Sequence, residues 1–143
     1  MLMTGSGRID AQRAFTRLAR ARRRASIASR LRRCTACSRL RVYDRAAGRA
    51  SAAGGIREIP LDAISGTLEP SRASMFDRDF RPARAARGRW QRVWLAEQRG
   101  CPLPPISVLP AGEGYVVRDG HHRVSVARAR GAITIDATVD TAA

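Results

Sequence analysis

Lysine is absent from all 143 residues, so each of the 27 basic side chains is an arginine, and only 12 acids oppose them. Aromatic residues are scarce as well, at 5%. A chain of this length and apolar content builds one modest core, and scarce aromatics leave part of it expected outside that core. No run of 18 apolar residues exists, which excludes a membrane-spanning helix, and no apolar stretch followed by a small-residue cleavage site marks a secretory signal. The expected location is cytoplasmic, near the nucleoid if the arginines meet DNA. Cysteine is limited to Cys34, Cys37 and Cys101. An odd number argues against a disulfide framework, so reduced thiols are expected. Cys34-Thr35-Ala36-Cys37 has the spacing of half a zinc site, but no second pair follows to complete a tetrahedral shell, and no metal site is expected.

The arginines are unevenly placed. Residues 1–50 hold 14 of them against Asp10 and Asp44, a net of +12, whereas residues 51–143 hold 13 against 10 acids, a net of +3. A basic segment draws nucleic acid, anionic membrane or acidic protein by long-range, salt-sensitive attraction that requires no particular fold. The dominance of Arg, Ala and Gly also fits the codon usage of a genome rich in G and C, which accounts for charge without function.

From Asp10, read as an N-cap, residues 11 to 33 favour helix. Phe15, Leu18 and Ala19 share one face while Ile27 and Leu31 fall on another. The apolar stripe is short and broken, so this helix is expected to be a weakly docked arm, with Arg20, Arg22, Arg23, Arg24, Arg32 and Arg33 as its nucleic-acid contacts. Arg39 to Gly55 lacks periodicity and ends in paired glycines, which reads as a linker. The domain boundary is therefore expected at residue 55, with an arm and linker over 1–55 and a folded domain over 56–143.

In the second part, Ile56, Ile59, Leu61 and Ile64 are spaced as a short strand that Pro60 confines to an edge or an end. Ser65 to Pro82 reads as a structured loop with about one helical turn. Trp90, Val93, Trp94 and Glu97 recur at i, i+3, i+4 and i+7 of a helix that Gly100 terminates. The two Trp rings are then core residues, base stacking being the alternative. Ile106 to Leu109 and Tyr115 to Val117 flank Gly112-Glu113-Gly114 as a hairpin. A helix from about His122 to Arg130, Gly131 as its cap and a strand from Ile133 to Val139 follow.

Between the last hairpin strand and that helix lies Asp119-Gly120-His121-His122-Arg123. Gly120 lets the chain leave the strand sharply, and the unpaired N–H groups of the helix that begins there face whatever lies in front. Those groups and the helix dipole favour an anion, and Arg123 adds a planar fork suited to phosphate oxygens. His121 and His122 add hydrogen-bond donors, and Asp119 is the candidate for holding magnesium, orienting an imidazole or accepting a proton. Turn chemistry and simple capping are the bland explanations of the same residues.

The run from Gly114 to Gly131, with Ile59-Pro60-Leu61-Asp62-Ala63-Ile64 and Leu103-Pro104-Pro105-Ile106-Ser107-Val108 before it, resembles the signature of the ParB/sulfiredoxin superfamily over residues 56 to 139. The resemblance implies an α+β fold, a small mixed sheet with packed helices, and a nucleotide (CTP, ATP or ADP) with magnesium held at Gly120, His121, His122 and Arg123. Partition proteins of that family carry Gly-Glu-Arg-Arg at this turn and bind CTP phosphates with it; Gly120 and Arg123 match, and the histidines replace the other two. Sulfiredoxins place a nucleophilic Cys where His121 stands, so sulfinic acid repair is not expected. Members with Asp-Gly-His-His-Arg include kinases of free serine, which use an early carboxylate as base; Glu58, Asp62 and Glu69 are the candidates. No helix-turn-helix fits after this unit in the 143 residues, so sequence-specific DNA reading is not expected. Two functions remain: a nucleotide-binding module whose arm contacts DNA non-specifically, and a small-metabolite kinase. A nuclease lacks the necessary carboxylate cluster.

Overall fold

The computed structural model describes residues 6–34, 38–44 and 55–140. Among these the fold is mixed α+β, with three α-helices and a five-stranded mixed sheet. Helix α1 spans Ser6–Leu31, strands β1 and β2 span Ile56–Pro60 and Ile64–Thr67, and helix α2 spans Arg87–Gln98. The hairpin strands β3 (Ile106–Ala111) and β4 (Gly114–Asp119) lead into α3 (His121–Ala129) and the last strand β5 (Thr134–Val139). Single 3-10 turns fall at Leu61–Ala63, Pro70–Arg72 and Arg84–Ala86.

The strands lie in the order β1-β5-β3-β4-β2, with β1/β5 and β3/β4 antiparallel and β3/β5 and β2/β4 parallel. β1 is thus an edge strand, where Pro60 removes no needed ladder bond. β1 and β2 sit at opposite edges although only the turn Leu61–Ala63 joins them. Four residue steps reach at most ~14 Å, whereas the edges of a flat five-stranded sheet lie ~19 Å apart. The sheet must therefore curl, bringing its two edges toward each other.

Alternation along the hairpin sorts the core. Ile106, Val108 and Val117 enter the main cluster, while Leu109, Ala111 and Val116 form a smaller one with Tyr43 and Leu68. α3 packs on β3, α2 on α3, and α1 on α2. Trp90 is wholly buried, its Nε1–H donating to Ser125 Oγ at 2.8 Å, and Phe15 meets its ring edge-on at 5.6 Å. Trp90 is therefore core, as helical spacing requires, and unavailable for base stacking.

The N-terminal third departs from expectation. Asp10 lies inside α1, which begins at Ser6. The helix is no weakly held arm: Ala11, Ala14 and Phe15 are buried, Leu18 and Ala19 pack on the main cluster, and Arg81 Nη1 donates to the Ala21 carbonyl at 3.1 Å. Most of its docking face is alanine, which lets two helices approach closely but writes a faint apolar stripe. The start of the expected linker is also built in. Leu40 is buried in the main cluster, and residues 41–43 extend the sheet beyond β2, with Tyr43 N donating to Thr67 O and Thr67 N to Arg41 O, each at 2.9 Å. A Cβ on Gly66 would collide with the Arg41 carbonyl, so only glycine admits this approach. The rest of that linker, 45–54, lies outside the described residues. Cys34 is disulfide-bonded, against the expectation of reduced thiols, and Cys101 is free and exposed. Cys37 lies outside the described residues. No helix of the described residues is long and apolar enough to cross a membrane.

Candidate anion-binding site

The turn after β4 takes the form its sequence dictates. Gly120 has φ +105°, in the left-handed region, and a Cβ there would strike Ile106. Two constraints, one torsional and one steric, thus select glycine. α3 begins at once, with no side-chain cap on Gly120, and its first intrahelical bond runs from Val124 N to Gly120 O. The N–H groups of His121, His122 and Arg123 have no partner within the helix, which is the electrostatic condition for holding an anion.

In front of them lies a cavity of about 200 Å³ lined by Asp119, Gly120, His121, His122 and Arg123 together with Arg72, Arg89 and the Leu103-Pro104-Pro105 segment. All five turn residues singled out from the sequence therefore meet in one place. Arg72, from the turn Pro70–Arg72, and Arg89, from α2, are additions to the sequence-derived set; they reach the cavity from elements far away in the chain, and no local motif announces them.

The histidines are scaffold and lining at once. His121 is 3% exposed and its Nε2 lies 2.6 Å from Thr67 Oγ1, which also accepts the Glu69 N–H at 2.9 Å. Phe76 stacks on His121 at 6.3 Å and meets His122 edge-on at 5.1 Å. Burial pushes His121 down to about 4, and Arg72 and His122 act in the same direction against the weaker pull of Asp119. His122 is likewise lowered to about 4, by burial first, then by Arg89, Arg72 and Arg92. Both imidazoles are neutral at pH 7, so the positive potential here comes from guanidinium groups and the helix terminus. His122, 5% exposed, has a buried Nε2 with no hydrogen-bond partner.

Arg123 is not a free fork. Its Nη1 donates to the Pro104 carbonyl and its Nη2 lies 3.4 Å from Glu97 Oε1, while its buried Nε has no partner. Part of its donor set ties α3 to α2 and to the segment before β3. Asp119 is exposed and is the only carboxylate lining the cavity among the described residues. Of the candidate bases, Glu58 lines a neighbouring depression with Glu97, Arg123 and Asp136, and neither Asp62 nor Glu69 lines the cavity.

Among the arginines expected to meet nucleic acid, Arg20, Arg23, Arg24, Arg32 and Arg33 are exposed. Arg22 is not: it is half-buried with its Nε buried and unpartnered, because it falls on the side of α1 that faces the core. Compared with protein-family models, with curated proteins and with solved structures, the chain gave no match.

Proposed function

We propose that this protein binds a phosphate-bearing ligand, of the nucleotide class, at the N-terminus of α3, as a ParB/sulfiredoxin-like module. The observation that carries the reading is His122: a nine-tenths-buried side chain in the wall of the cavity, with a ring nitrogen lacking any partner. An orphaned buried polar atom costs about 1–3 kcal/mol unless something satisfies it. Around it, three backbone N–H groups without a partner inside the helix and the guanidinium groups of Arg72, Arg89 and Arg123 favour an anion. A cavity of about 200 Å³ is smaller than the usual site for a whole drug-sized ligand, so it suits a phosphoryl end, with the remainder lying outside near exposed Arg89.

No group of three His, Cys, Asp or Glu residues suited to a metal occurs among the described residues. Magnesium would then arrive on the phosphates of a nucleotide (CTP, ATP or ADP), with Asp119 as its protein ligand. The second reading, phosphoryl transfer to a small hydroxyl metabolite, requires a base; Asp119, the one carboxylate lining the cavity among the described residues, is already assigned to magnesium, which favours binding over catalysis.

Thermal shift with CTP, ATP, ADP and GTP, each with magnesium, tests the proposal on wild type and Arg72→Gln. At least one nucleotide should raise the Tm of the wild type, and the shift should shrink in the variant. If none stabilises the wild type, the reading fails. A phosphorylated product from ATP and a panel of hydroxyl amino acids would favour the kinase.

A further inference from the structure

The side of α1 opposite its docking face carries a second charge pattern, independent of the cavity. At 3.6 residues per turn, Arg13, Arg17, Arg20 and Arg24 fall within an arc of about 60°, centred about 140° around the helix from Ala11, Ala14, Phe15 and Leu18. All four are exposed, and none forms an ion pair among the described residues. With Ile9, Gln12 and Thr16 they border a shallow groove of about 520 Å³. The helix rise separates successive arginines by about 4.5–6 Å, so the stripe extends for ~17 Å. Asp10 is the only acid in the helix.

We infer that this face of α1 is a docking surface for double-stranded DNA, engaged through the phosphate backbone without reading of bases. The match is one of charge density: duplex DNA offers a phosphate every ~3.4 Å of its axis on each strand, dense enough for each guanidinium to meet one, and Gln12 and Thr16 supply neutral donors beside them. Docking α1 on the core pre-organises the stripe, removing the ordering cost that a free arm would meet. An anionic lipid surface fits less well. The continuous apolar side of α1 is already spent on the core, and Ile9, Ile27 and Leu31 are the only large apolar residues exposed along the helix. Insertion into an interface requires a broad apolar face, commonly with aromatics; on this side Ile9 and the pair Ile27 and Leu31 stand at opposite ends of the arginine stripe, and none is aromatic. A protein partner would be expected to seat on aromatic anchors, which are equally absent.

The test is fluorescence anisotropy of the full chain on a random-sequence 25-base-pair duplex across a salt series. Its variant is Arg13→Gln/Arg17→Gln/Arg20→Gln/Arg24→Gln, and its control, of equal net charge, is Arg39→Gln/Arg78→Gln/Arg84→Gln/Arg99→Gln. Glutamine is a good helix former, and circular dichroism checks that both remain folded. Wild type should show a slope of log K against log salt of about −3 to −4, four contacts at roughly 0.9 each. The stripe variant should lose at least about tenfold in affinity at low salt and most of that slope, while the control keeps both. Equal losses in the two variants would reduce the effect to net charge and overturn the surface, as would absence of binding at low salt. Binding of phosphatidylserine vesicles, but not of duplex, would assign the face to lipid instead.

Discussion

Thr67 Oγ1 and His121 Nε2, 54 residues apart in sequence, meet at 2.6 Å and tie the edge strand β2 to the first residue of α3. The threonine hydroxyl also accepts the Glu69 N–H and contacts the Val117 carbonyl at 3.3 Å, so one oxygen organises the loop after β2 and the helix terminus together. Thr67→Val keeps the shape but strands a buried ring nitrogen and a backbone donor. It should destabilise by about 2–3 kcal/mol and weaken nucleotide binding with it. Thr67→Ser should restore most of both, which chemical denaturation and a ligand titration would check.

Stability should fall on acidification through the range of histidine. Both His121 and His122 are held down to about 4 in the folded protein, from an ordinary value of 6.5. Between those values the unfolded chain binds more protons than the native one, so native stability rises with pH. It should be complete above about pH 6.5 and decline toward pH 4, by up to about 3 kcal/mol per histidine. Urea midpoints at pH 7 and pH 4.5 measure the decline, and His122→Gln should remove roughly half of it. Midpoints independent of pH in both proteins would show that the imidazoles are not held neutral by the fold.

Gly120→Ala should cost more than an ordinary turn substitution, because φ +105° and the contact with Ile106 act together. We expect about 2–4 kcal/mol, with loss of ligand binding in whatever fraction still folds. Thermal melts with and without ligand separate the two effects.

Phe15→Ala tests whether α1 belongs to the core. The ring is 1% exposed and contacts Trp90 edge-on, so its removal should destabilise by about 3–5 kcal/mol and change the tryptophan fluorescence of the folded state. A free arm would give neither result.

The sequence exposes those features whose cause is local. Asp119 to Arg123 can be read because strand, glycine and helix follow one another directly, and the Trp90 helix because its period is carried by large side chains. The docking of α1 is not legible in this way because it runs largely through alanines, which pack closely but add little to an apolar pattern. β2 and the segment at 41–43 leave no clear pattern for a related reason: Ser65, Gly66 and Thr67 are poor strand signals, and the glycine is required only because another chain segment passes over it. Arg72 and Arg89 illustrate the general limit. Nothing near either residue distinguishes it from the other arginines; only folding brings both to the N-terminus of α3.

Arg72 and Arg123 should separate binding from scaffolding. Among the described residues the Arg72 side chain makes only a weak contact, Nη1 to Met75 Sδ at 3.3 Å, so Arg72→Gln should lower affinity about tenfold or more with little change in stability. Arg123 also holds Pro104 and Glu97, and Arg123→Gln should lower both affinity and Tm.

Titration of the ¹⁵N-labelled protein with magnesium and CTP, and separately with magnesium and ATP, locates the ligand directly. The largest shifts should fall on the backbone amides of His121, His122 and Arg123 and on the His122 imidazole. A folded protein in which neither nucleotide moves those resonances, or in which the shifts gather only along α1, would contradict an anion site at the N-terminus of α3.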